Sequence, residues 1–132
     1  MTDNRTVVAT IGKEQYATSL QNGVHTVFSD EPQDNGGKDS APSPGDYLRM
    51  SLASCTAITL KMYAERKGFK VDEIKVEVRT EQAEGKTVFY RQVFLSGELD
   101  KEQRSRMLAI ANACPVHKTL TNPIAVNTVV MS

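Results

Sequence analysis

Cys55 and Cys114 are the only two cysteines of the chain, and both stand in apolar, helix-like surroundings. Cys55 lies within Tyr47-Leu48-Arg49-Met50-Ser51-Leu52-Ala53-Ser54-Cys55-Thr56, and Cys114 closes a second such stretch before Pro115-Val116-His117. Two thiols of this kind can run a reversible thiol–disulfide cycle if the fold brings them together. Cys55 can equally be a small buried hydrophobe, although Ser51, Ala53 and Ser54 around it are small enough for a chain segment or a substrate to approach. Cys114 precedes a proline that suits the first position of a helix, so its thiol can act as the N-cap. Backbone N–H groups and the helix dipole there would stabilise a thiolate. The alternative, a cysteine that only plugs the junction of two helices, is equally open.

Other residues admit further chemistry. His117 follows Cys114 in a Cys-x-x-His spacing, which is half of a zinc site. Cys55 and His25 would have to complete it, whereas structural zinc sites usually show two tight ligand pairs. We therefore expect no metal and no other cofactor. A cysteine hydrolase with a histidine base has only residue types in its favour. Asp46 has a structural explanation as the last member of a capping box begun by Ser43, with Pro44 at the first helical position.

The elements that must position these residues can be read in outline. Short strands are expected over 6–11, 15–20 and 23–29, with Gln21-Asn22-Gly23 as a turn. A loop of about fifteen residues runs from Asp30 to Pro44, and loops of that length are usually functional or mobile. A helix then extends from Pro44 to about Lys67, with Gly68 as its stop. Leu48, Leu52, Cys55, Ile58, Thr59 and Met62 recur at spacings of three and four, so Cys55 is expected to face the core. Ile74, Val76 and Val78 alternate with charged residues, Ala83-Glu84-Gly85-Lys86 turns the chain, and Val88 to Leu95 returns. Asp100 caps a helix to about Ala113 whose Met107, Ile110, Ala111 and Cys114 share a face. A short helix covers 115–120, and Ile124 to Met131 reads as a closing strand. The order predicts an α+β fold with mainly antiparallel pairing.

Composition narrows the partners. The 132 residues correspond most simply to one domain, 1–132, large enough for a core without staples. Sixteen basic and sixteen acidic residues cancel, so no electrostatic footprint for nucleic acid is present. No apolar run approaches the roughly 18 residues of a membrane span, and nothing after Met1-Thr2-Asp3-Asn4-Arg5 resembles a secretory signal. A cytoplasmic protein with free thiols is expected, because disulfides there are transient, catalytic or redox-sensing.

Asp30-Glu31-Pro32, Gly36-Gly37, Pro42-Ser43-Pro44-Gly45-Asp46-Tyr47-Leu48, Leu52-Ala53-Ser54-Cys55-Thr56 and Ala113-Cys114-Pro115-Val116-His117-Lys118-Thr119-Leu120 together closely resemble the OsmC/Ohr family. The likeness runs from about residue 6 to 131 and is greatest to the OsmC-like branch. It implies an intertwined homodimer, with long central helices, antiparallel sheets packed around them and active sites at the subunit interface. It also implies a thiol-dependent peroxidase for organic hydroperoxides. Cys55 maps to the peroxidatic cysteine and Cys114 to the resolving one, and an external dithiol would reduce their disulfide. The family places an arginine near the end of the first strand and a glutamate ten residues before the peroxidatic cysteine. This chain has Lys13 and Gly45 there, with Asp46 the nearest acid. The activating pair is then Lys13 with Asp46, another arginine such as Arg91, or absent. The same resemblance accommodates a non-catalytic dimer that binds a small apolar ligand or senses redox state through its thiols.

Overall fold

The computed structural model describes residues 5–131, which form two units divided after Met50. In the first unit, β1 (Val8–Ile11), β2 (Thr18–Gln21) and β3 (Thr26–Ser29) make an antiparallel meander, with Ile11 opposite Thr18 and Gln21 opposite Thr26. The tip between β2 and β3 is fastened by Asn22, whose Oδ1 accepts from the amides of Val24 at 3.0 Å and His25 at 2.7 Å. His25 thus has a turn position, as Asx-type turns favour.

The segment after Asp30 is ordered around one carboxylate. Asp30 is buried, and its Oδ2 accepts from the Ser40 hydroxyl at 2.7 Å, the Ser40 amide at 3.1 Å and the Lys38 amide at 3.3 Å. These bonds hold the carboxyl below the usual carboxylate range, the Ser40 hydroxyl contributing most. Gly37 lies so close to Glu31 that a Cβ there would meet its carbonyl oxygen at 1.9 Å.

Helix α1 (Pro44–Lys67) begins as its sequence dictates. The Asp46 amide donates to Ser43 Oγ at 3.2 Å and the Ser43 amide to Asp46 Oδ2 at 3.0 Å, a reciprocal cap. Gly68, at φ +72°, ends the helix in the left-handed conformation expected of a C-terminal glycine. The stripe that is buried differs from the expected one. Leu52, Thr56, Leu60, Tyr63 and Ala64 are buried, whereas Leu48, Ile58 and Met62 are about half exposed and Cys55 is half-buried at the edge. The helix carries two apolar stripes, and periodicity alone does not say which one this chain covers.

In the second unit, β4 (Lys70–Ala83) and β5 (Lys86–Glu98) form a long antiparallel hairpin, Ala83 opposite Lys86. Glu84 and Gly85 turn it with φ of 52° and 78°, the pair of positive angles that matches strand twist. A bulge between Val71 and Glu73 keeps both Val71 and Ile74 on the packed face. Gly97 pairs with Val71 at φ +134°, where a Cβ would meet Lys70 O at 2.2 Å. Asp100 caps α2 (Lys101–Ala111) with Gln103 in a second capping box, and α3 (Pro115–Leu120) follows. Leu60, Tyr63 and Ala64 of α1 pack with Met107 and Ala111 of α2, flanked by Phe69, Ile74, Val93 and Leu95. Each large side chain buried in this way stabilises the fold by roughly 2 kcal/mol.

The α+β class and antiparallel pairing are as the sequence predicts. Residues 124–131 are not: they form no strand, and Ile124, Val126, Val129, Val130 and Met131 are exposed. Alternation supplies a strand-forming conformation but not the paired edge that a strand requires.

Candidate functional site

Four elements of the second unit converge on Cys114. Its backbone, at φ −68° and ψ 145°, is the N-cap of α3, with Pro115 at the first helical position. The Cys114 Sγ accepts the His117 amide at 3.4 Å, doing with sulfur what serine or aspartate usually does at this position. From α1, the buried Thr56 Oγ1 lies 3.7 Å from the same sulfur, and the Cys55 thiol is among the groups that lower the Cys114 pKa. Both cysteines are free thiols, Cys114 fully buried and Cys55 partly accessible.

Arg91 reaches the cluster from β5. It shares the inward face of that strand with Val93 and Leu95, because alternate residues point the same way. One guanidinium nitrogen donates to Thr56 Oγ1 at 3.0 Å; the other donates to Asn112 Oδ1 at 2.8 Å and His117 Nδ1 at 3.2 Å. Arginine can only donate, so Nδ1 of His117 is the acceptor and a neutral ring carries its proton on Nε2. Burial first, and then the Arg91 charge, push the His117 pKa down, which keeps that ring neutral at pH 7. All three acceptors of Arg91 are neutral, and among the described residues no carboxylate pairs with it.

The net effect of its surroundings on Cys114 is to lower the thiol pKa from its ordinary value. Burial raises the thiol pKa. The His117 amide, the Thr56 hydroxyl, the Cys55 thiol and the Arg91 charge together outweigh burial, so the net direction is downward. A cavity of about 540 Å³ adjoins the cluster, with Arg91 and His117 at one side and Leu52, Phe89, Val93 and Leu108 as apolar wall.

The sequence-predicted residues divide accordingly. Cys55 and Cys114, from elements far apart in the chain, are brought together. Lys13 lies in an exposed bend after β1, in the first unit. Asp46 is occupied by the α1 cap and by an ion pair with Arg49 at 2.6 Å, and its carboxyl is held below the usual range chiefly by the Ser43 amide and by Arg49. No contact between Asp46 and Lys13 occurs among the described residues. Thr56 and Asn112 belong to the cluster although no motif singles them out. The signal for Thr56 was a lone hydroxyl in the α1 stripe, and for Arg91 a charge on the apolar phase of a strand. No group of three histidine, cysteine or acidic side chains suited to a metal lies among the described residues, nor does any helix there have the length and apolarity to cross a membrane.

A thiol pair set between a long helix, a helix–helix junction and an antiparallel hairpin defines an α+β protein with a two-cysteine site. The family model described as OsmC-like protein matches residues 37–129, and the chain belongs to that family. It is similar to a candidate osmotic stress induced and detoxification response protein from Psychrobacter arcticus, at 26% identity over 90% of each chain with a TM-score of 0.75. The organic hydroperoxide resistance protein OhrB of Bacillus subtilis shares the fold at 20% identity, covering 90% of this chain and 91% of that one, TM-score 0.61. An organic hydroperoxide resistance protein OsmC from Legionella pneumophila does so at 17% identity, over 88% and 89%, TM-score 0.63. No curated protein matches the sequence significantly.

Proposed function

We propose that this OsmC-like chain reduces organic hydroperoxides with its two thiols. The observation that carries the reading is that Cys55 and Cys114 are brought together beside a cluster in which Arg91 has only neutral partners among the described residues. Cys55 is the more accessible thiol. Its sulfur attacks the distal peroxide oxygen, the O–O bond breaks, the alcohol leaves and a Cys55 sulfenic acid remains. Cys114 then attacks that sulfur, a Cys55–Cys114 disulfide forms and water leaves. An external dithiol restores both thiols by exchange, so the protein works in a reducing compartment such as the cytoplasm.

The apolar wall beside Arg91 and His117 supports a substrate with a hydrocarbon body over hydrogen peroxide. The half-exposed Leu48, Ile58 and Met62 on α1 support a homodimer, since a partner on that stripe would cover apolar surface next to Cys55. Stopped-flow oxidation of the reduced protein tests the reading, with cumene hydroperoxide and hydrogen peroxide in parallel. Rapid loss of two thiols with the organic peroxide is expected, and none in the Cys55→Ser variant. Oxidation no faster than that of a simple thiol would replace the peroxidase with a ligand-binding or sensing dimer.

A further inference from the structure

The half-buried Arg91 carries a charge that no carboxylate among the described residues cancels, and it lines the cavity beside the thiol cluster. We propose that this cavity binds a medium-chain amphipathic carboxylate, with the carboxylate on Arg91 and the hydrocarbon tail along β5 towards the hairpin tip. Neither cysteine lines it, and a ligand without an O–O bond should fill it, so the inference does not rest on the peroxidase reading.

The shape follows from the strand. Thr87, Phe89, Arg91 and Val93 all line the cavity, and alternate residues of β5 share one face. From Thr87 to Val93 the strand rises roughly 20 Å. A volume of about 540 Å³ along such a floor makes an elongated groove, in the size range of small-ligand sites and suited to an extended chain. Leu108 of α2 and Leu120 of α3 complete its apolar wall.

The head group is set by charge. Arginine carries five N–H donors, and the bonds to Thr56, Asn112 and His117 occupy at most three of them. At least two remain for ligand oxygens, and the neutral His117 ring, which also lines the groove, adds its Nε2–H. A cation partly withdrawn from water and held only by neutral acceptors is left without compensation for its lost hydration. An incoming carboxylate supplies it through charge-assisted hydrogen bonds. The other charged lining residue, Lys86, is also a cation, and no acidic residue lines the groove. The groove is thus uniformly positive in a chain whose formal charge is zero.

The tail is set by what stays uncovered. Leu108 is 64% exposed although it faces Phe89 across the groove lining. An alkyl chain laid there removes apolar surface from water, which is about fourfold in affinity for each CH₂ buried.

Calorimetric titration of the reduced protein with octanoate, paired with amide chemical-shift mapping, is the test. Saturable one-to-one binding is expected, with the largest shifts at Phe89, Arg91, Leu108 and Leu120. Octanol should bind at least about tenfold more weakly for want of the charge, and hexanoate about tenfold more weakly for want of two CH₂ groups. Arg91→Gln should weaken octanoate at least about tenfold and leave octanol unchanged. Leu108 is exposed, so Leu108→Asp spares the core; it sets a like charge beside the ligand and should weaken octanoate by at least about tenfold. Equal affinities for octanoate and octanol, an unchanged octanoate affinity in both variants, shifts centred on Leu48, Ile58 and Met62, or no saturation in the millimolar range would each overturn the inference. Binding should persist in Cys55→Ser, which has no peroxidase cycle. Octanoate binding in a wild type that ignores hydroperoxides would sink the peroxidase reading alone, and peroxide reduction without octanoate binding would sink this inference alone.

Discussion

Replacing Thr56 with valine removes one hydroxyl and almost no volume, so its effect on stability isolates the polar contacts. The side chain is fully buried and its Oγ1 accepts from Arg91 at 3.0 Å and faces Cys114 at 3.7 Å. Valine leaves the Leu52 carbonyl with its helical partner and leaves one guanidinium N–H facing a methyl group. Hydrogen bonds to charged groups contribute about 1.5–3 kcal/mol, the upper part of that range belonging to fully desolvated donors. Arg91 is only half-buried, so water recovers part of the loss and about 1–2 kcal/mol of destabilisation is expected. For a chain of this length that lowers the melting temperature by roughly 3–8 °C. Urea denaturation of the reduced protein is the assay, run as a cycle with Arg91→Gln and the double variant. A coupling of about 1 kcal/mol is expected for residues in direct contact. Additive effects within about 0.3 kcal/mol, or a neutral Thr56→Val, would refute the view that the hydroxyl holds the guanidinium.

Lys13→Ala should change the rate of Cys55 oxidation by less than about threefold if Arg91 supplies the working charge; a tenfold or greater loss, which is about 1.4 kcal/mol of barrier, would return that role to Lys13. Asp46→Ala should cost about 1 kcal/mol through the lost cap, read by thermal unfolding against wild type. Because the Asp46 and Asp30 carboxyls titrate below their usual 3.8, their contributions are fully present above that pH and fall away as pH drops below it, so the protection factors of the Lys38 and Ser40 amides on Asp30 should decrease only below pH 3.8. Gly97→Ala should destabilise by at least about 2 kcal/mol, since it combines positive φ with a backbone collision; unchanged urea stability would show that the β4 bulge yields.

Much of the frame was legible because it depends on neighbours in sequence. The Ser43–Asp46 cap, the Gly68 stop, the Glu84-Gly85 turn, the Asp100 cap and Cys114 ahead of Pro115 are all local chemistry, and each occurs where its residues place it. The site was half legible. Residue type and the flanking motifs identified the thiols, and the family matched at residues 37–129 agrees with the resemblance they carry. The phase of α1 was misread because Leu48, Ile58 and Met62 form an apolar stripe as regular as Leu52, Leu60 and Ala64. The strand expected at 124–131 failed for a related reason: an alternating pattern contains no record of an edge to pair with.

Sequence alone determined that this chain has two cysteines, one on a long helix and one directly ahead of Pro115 where a short helix starts, in an α+β order. Local rules reach that far because capping, turning and periodicity act over a few residues. Only the tertiary structure decided that Cys55 and Cys114 come together, and that Arg91, 35 residues along the chain from Thr56 and 26 before His117, joins those two residues beside them. The electrostatics of a buried sulfur is set by whichever donors and charges surround it in space, and the hairpin that delivers Arg91 is positioned by its apolar face against α1 and α2.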